Sequence, residues 1–308
     1  METKNRTTII TEFVLLGFTM DPKINAALFV FFFIIYLVTV TGNSLIIFMI
    51  ITNPKLHKPM YFFLCVLSIL DLCYSTTALP RLLADLFSAK RSIPFMACVF
   101  QLHVILLVEG SECQLLVVMA YDRYLAICHP LRYPILMRWG NCYRLVALVF
   151  IIPFMFCSVP SIFTPYTVCN NQINHFICEM LAITKLLCED VSASEIKIFA
   201  ISFLTLLIPL LLILLSYTFI LYSVLKLRSA GRSKAFSTCT SHLGVVALYF
   251  GTVMLMYFGP SSMYSTDQEK YSAIFYIIIS PMLNPLIYSL NNRDIKGAIK
   301  KAGAKIPL

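Results

Sequence analysis

The sequence predicts an all-α fold, a bundle of seven helices that each cross a lipid bilayer. Three observations predict it. Of 308 residues, 59% are hydrophobic and only 13% charged, against about 45–50% and about 25% in soluble domains. The apolar residues gather in seven long runs, and the basic residues fall mainly in alternate stretches between them. A span takes about 20 apolar residues, so seven take about 140–160. What remains suffices for short loops but not for a second domain, and residues 1–308 read as one domain. Ten Gly and fifteen Pro exclude a collagen-like chain, and the apolar content excludes disorder. The net charge of +9 is split into short islands, so it does not mark a nucleic-acid partner.

In chain order the runs are Ala26–Ile51, Tyr61–Leu79, Cys98–Met119, Tyr143–Ile162, Ile196–Leu225, Ala235–Phe258 and Tyr271–Leu290. They are too long for barrel strands and lack period-two alternation, so helices alone satisfy their backbone in lipid. Pro153, Pro209 and Pro285 lie inside runs, where membrane helices tolerate kinks. Before the first run, Met1–Asp21 lacks the charged start and long apolar core of a cleaved signal peptide. The first span is therefore expected to act as the anchor.

Orientation follows from the basic residues. Fifteen of the 24 fall after the first, third and fifth runs or in the tail; nine fall on the other side. Cytoplasmic segments carry the Lys/Arg excess. Residues 1–25 are expected outside and residues 291–308 inside. Asn5-Arg6-Thr7, the one glycosylation sequon, lies on the outer side.

Eleven cysteines divide by side. Cys98, Cys169, Cys178 and Cys188 fall on the oxidising side, where four allow three pairings. The other seven are expected to pack. His175-x-x-Cys178-Glu179 has metal-ligand residue types, but a bridged cysteine offers no thiolate.

Asp71, Glu109 and Glu112 lie inside runs, where each acid costs about 2.5–3.5 kcal/mol on insertion scales and marks a functional-site hypothesis. Glu109 and Glu112 are three apart and share a helix face. With Asn43 and Asn284, Asp71 and Glu112 form a polar set that can hold a sodium ion or exchange a proton. Structural hydrogen bonding is the alternative reading, and both stand. Asp122-Arg123-Tyr124 closes the third run, where the arginine can pair with Asp122 until a partner docks.

These features resemble the rhodopsin-like G-protein-coupled receptors, and among them the vertebrate odorant receptors of the tetrapod type. The resemblance rests on Thr11–Phe18, Gly42-Asn43, Pro59–Leu64 with Asp71, Met119–Tyr133, Ser216-Tyr217, Lys234–Leu243 and Pro281–Leu290. The sequence departs from the family at Tyr249-Phe250-Gly251, where the family places tyrosine second, and at Leu290-Asn291-Asn292, where it commonly has Leu-Arg-Asn. The first departure puts in doubt a switch hydroxyl at position 250.

The resemblance implies a non-enzymatic, multi-pass plasma-membrane receptor with a short amphipathic terminal helix. Small volatile odorants would bind it, and a heterotrimeric stimulatory olfactory-type G protein would raise cyclic AMP. It implies bridges Cys98–Cys178 and Cys169–Cys188, and coupling through Asp122, Arg123, Tyr124, Tyr217 and Tyr288. For the ligand, the outer halves of three spans offer Leu102, Ile105, Leu106 and Glu109; Ile201, Ser202 and Thr205; and Val253, Met254 and Tyr257. The seventh adds Ala273 and Ile277. Helix packing explains the apolar members equally well, so Glu109 is the best candidate to set preference. Ile105, eighteen residues before Arg123, disfavours a biogenic amine. No cofactor is expected beyond the sodium ion. A rhodopsin-like receptor for a non-odorant ligand is the alternative, and a transporter the rival from another class, though no internal repeat supports it.

Overall fold

The computed structural model describes residues 10–162, 167–188, 196, 199–226, 229–258, 266–291 and 294–297; for 229–238, 257–258, 266–269 and 290–291 only the backbone is described. Asn5 and most of the tail lie outside the described residues, the terminal helix being represented by 294–297 alone. Among the described residues, seven helices are long and apolar enough to span: Pro22–Thr52, Pro59–Leu86, Phe95–Cys128, Trp139–Ile162, Phe199–Leu225, Cys239–Met256 and Lys270–Ser289.

Several helices extend beyond the apolar runs, and the cause lies in their ends. Asp21 caps the first helix by accepting the Lys23 N–H at 2.8 Å, and Pro22 occupies its first turn. That pairing of an acidic cap with an N-terminal proline starts the helix four residues before Ala26. The second starts at Pro59 and runs on to Leu86, past the apolar run, carrying the Arg81–Asp85 pair at 2.8 Å. In the second and third helices 61% of the most apolar window is buried, against 22% in the first, fourth and fifth. The second and third are thus the centre of the bundle. Phe31, Phe48, Leu211 and Leu215 are among the large apolar side chains left on the outside, as lipid-facing surfaces require.

Three of the helices carry a π-turn: Phe154–Ser158, Phe203–Leu207 and Phe275–Ile279. Each includes the residue four positions before a proline: Phe156 for Pro160, Thr205 for Pro209 and Ile277 for Pro281. A proline has no N–H to donate to that carbonyl, so the helical ladder has to rearrange there.

A small sheet accompanies the helices. β1 (Glu12–Leu15) lies between β2 (Ser92–Pro94), antiparallel with Phe13 opposite Ile93, and β3 (Gln172–Ile173), parallel with Leu15 opposite Ile173. The N-terminal segment is therefore a structural strand rather than a loose tail. Phe13, Leu15, Ile93, Leu102 and Ile173 form a second apolar cluster beneath it.

Candidate functional site

The cap over the bundle is built from three chain segments. Cys98 on the third helix is bonded to Cys178 (Cα–Cα 5.4 Å), and Cys169 to Cys188 (5.1 Å). Gln101, one turn below Cys98, accepts the Cys178 N–H at 3.0 Å and donates to the Thr77 carbonyl at 3.0 Å. One amide thus ties the loop to the second and third helices. Arg91 donates to the carbonyls of Leu16 and Thr19, both at 2.8 Å, and Lys270 at the head of the seventh helix donates to Gly17 at 3.0 Å. Gly17 has φ +65°, and a Cβ there would lie 2.7 Å from Arg91 Nη1. The positive φ favours glycine, and a Cβ would also push the tip of Arg91 aside. His175 is buried in the loop and stacks on Phe176; burial, then the Lys270 charge, pushes its imidazole down to about 3. It is neutral at physiological pH. At the rim, the Lys90 ammonium 2.6 Å from Glu12 holds that carboxyl below its usual range.

Beneath the cap, Glu109 is buried on the third helix, and no hydrogen bond reaches its carboxyl among the described residues. Glu179 of the loop and Glu112 one turn deeper lie within its electrostatic reach. Tyr249 of the sixth helix donates to the Glu109 carbonyl at 2.8 Å. Of the other proposed ligand contacts, Leu102 belongs to the cluster under the sheet, and Leu106 packs beside it. Ile105, Val253, Ala273 and Ile277 are in the main core, with Met254 against it. Ser202 is buried, and Thr205 turns its hydroxyl back to the Ile201 carbonyl at 2.8 Å. The Tyr257 side chain lies outside the described residues. A cavity of about 500 Å³ lies elsewhere, on the outer face of the third and fourth helices, and none of these residues lines it.

Deeper, Asn284 donates to both carboxylate oxygens of Asp71, at 3.0 and 3.2 Å, and also lies beside Glu112. Asn43 donates to the Thr39 and Pro281 carbonyls, both at 3.0 Å. Glu112 Oε1, Asn43 Oδ1, Asn284 Oδ1 and Ser111 Oγ are buried without partners among the described residues. Buried oxygens left unmatched beside two acids have the chemistry of a hard-cation site. Among the described residues no group of three or more His, Cys, Asp or Glu has metal-site geometry, so a cation here would need amide and hydroxyl oxygens in addition to the two carboxyls.

At the opposite end from the cap, Asp122 accepts the Tyr133 hydroxyl at 2.8 Å. Burial and the Asp122 carboxylate push that phenol upward. Arg123 is turned to the Met60 sulfur. The expected Asp122–Arg123 ion pair is absent from the described residues, because the tyrosine has taken the carboxylate. Tyr124 meets His129 Nε2 at 2.9 Å, and Tyr217 meets His242 Nδ1 at 2.8 Å. Tyr217, His242 and Tyr288 all lie within electrostatic reach of Arg123. The sequence reading missed Gln101, Arg91, Lys270 and His242. Each acts through a contact across the fold, and only the Lys234–Leu243 motif, which contains His242, hinted at one of them.

A family model described as "Olfactory receptor" matches residues 32–305. The chain is 45% identical to mouse olfactory receptor 5AR1, covering 99% of each chain, and 47% identical to mouse olfactory receptor 2B6, covering 95% of each. Human olfactory receptor 2A12 is 43% identical, with 96% of each covered. Squid rhodopsin superposes with a TM-score of 0.70 at 18% identity, over 93% of this chain and 87% of that one, a likeness of fold. A receptor rather than an enzyme, this multi-pass plasma-membrane protein belongs to the olfactory receptor family.

Proposed function

We propose that this receptor binds small volatile organic molecules in the outer half of the bundle and activates a stimulatory olfactory-type G protein, raising cyclic AMP. The observation that carries the reading is Glu109, a buried carboxyl with no hydrogen bond among the described residues, beneath a loop tied down by the Cys98–Cys178 bridge. Around such a group the apolar side chains of the third, fifth, sixth and seventh helices supply the mainly apolar lining that a small ligand needs. Glu109 accepts a cationic amine or, when protonated, hydrogen-bonds an alcohol or carbonyl. The capped end then lies outside the cell and Arg123 faces the G protein.

The test is a chemically broad odorant panel applied to cells expressing the receptor, read as cyclic AMP. A receptor displayed at the surface but silent to the whole panel would overturn the reading. Sodium is proposed as a regulator, held in the inactive state by Asp71, Glu112 and Asn284. Asp71→Asn should then change basal activity and abolish its salt sensitivity. If both stay as they were, the cluster is only structural.

A further inference from the structure

The cavity of about 500 Å³ on the outer face lies between the third helix, from Phe95 to Leu107, and the fourth, from Phe154 to Ile162. Its position follows from local packing. The two helices touch tightly at Gly110, where an added Cβ would lie 2.6 Å from the Pro153 ring. On the cap side of that contact, the π-turn Phe154–Ser158 breaks the regular face of the fourth helix, and there the cavity opens. Along the third helix the lining spans twelve residue steps, about 18 Å at the helical rise, so the cavity is an elongated groove. Phe100 is 71% exposed at its edge, which leaves the groove open towards the lipid.

The walls are apolar except for His103 and Ser158. His103 Nδ1 lies 2.7 Å from the Val99 carbonyl, and its Nε2 is buried without a partner among the described residues. A carbonyl only accepts, so Nδ1 carries the hydrogen and Nε2 of the neutral ring is a bare acceptor. Ser158, only 3% exposed, brings a hydroxyl to the same wall. Among the described residues no lining side chain is charged, so none of them balances a charged headgroup. An aldehyde, ketone or ether has no hydrogen to give Nε2; an alcohol has one, and its oxygen can take the Ser158 hydrogen in return.

We infer that the groove is a second, lipid-facing binding site for an elongated lipid alcohol of the bilayer, with its hydroxyl between His103 and Ser158 and its apolar body along the phenylalanine walls. The site is separate from the one beneath the cap and does not depend on it.

The test uses receptor in lipid nanodiscs and two photoreactive sterols, one with a free hydroxyl and one with that hydroxyl methylated. The free alcohol should label the segments Phe95–Leu107 and Phe154–Ile162 about tenfold more than the ether. His103→Phe and Ser158→Ala should each reduce that labelling, and His103→Gln, which keeps an acceptor, should retain most of it. Equal labelling by the ether overturns the inference even if the variants fail to fold. So does labelling spread evenly over the seven helices, or none. Displacement by 1-hexanol at the concentration at which unlabelled sterol displaces would also overturn it, by making the groove a site for short volatile alcohols.

Discussion

A carboxyl buried among apolar helices, as Glu109 is, acts on any molecule that comes within hydrogen-bonding distance. Glu109→Gln keeps the shape and removes the charge. For an agonist that uses this group, potency should fall about tenfold, or about 1.4 kcal/mol; unchanged dose–response curves for every agonist would remove Glu109 from the site. His175 gives a pH dependence. Folded, its imidazole stays unprotonated until about pH 3, whereas unfolded it takes a proton near 6.5. The cap therefore has its full stability above pH 6.5 and loses it as pH falls towards 3. Between pH 7.4 and 5.5 the loss is about 1.4 kcal/mol. It should appear as a lower melting temperature of purified receptor at pH 5.5, and the difference should shrink in His175→Phe.

Helices and strands differ in how far the sequence reveals them. All seven spans are legible because lipid demands long apolar runs, whereas their ends are decided by polar caps and prolines that hydropathy ignores. The sheet is illegible for a physical reason. Its strands are four, three and two residues long, too short to show alternation, and they pair with segments about 80 and 160 positions away. The acids of the candidate site were legible because burial makes them conspicuous; Gln101 was not, since a glutamine near a helix end is ordinary until its two partners are seen. Between elements, the Gly110–Pro153 contact brings the third and fourth helices so close that an added side chain would break it. Gly110→Leu should cost about 1–3 kcal/mol by overpacking against a rigid ring, seen as reduced surface display and melting temperature. Normal values would mean that the fourth helix yields.

Across the whole molecule, polar groups form a discontinuous column from Glu109 through Asp71, Glu112 and Asn284 to Tyr217, His242, Tyr288 and Arg123. Arg123 touches Met60 rather than an acid, so no ion pair has to break before it meets a partner. Arg123→Ala should abolish agonist-driven cyclic AMP while leaving surface display largely intact; normal signalling at equal display would exclude it from coupling. The Lys270–Gly17 hydrogen bond joins positions 253 apart in the chain. Its consequence is one of timing during synthesis. Gly17 leaves the ribosome 253 residues ahead of its partner, which arrives only when the seventh helix is made. Until then the newborn strand must wait beside the membrane with its final anchor missing. A nascent receptor stalled before the seventh helix should therefore leave β1 open to proteases that the finished chain resists, because the cap closes only once that helix is in place.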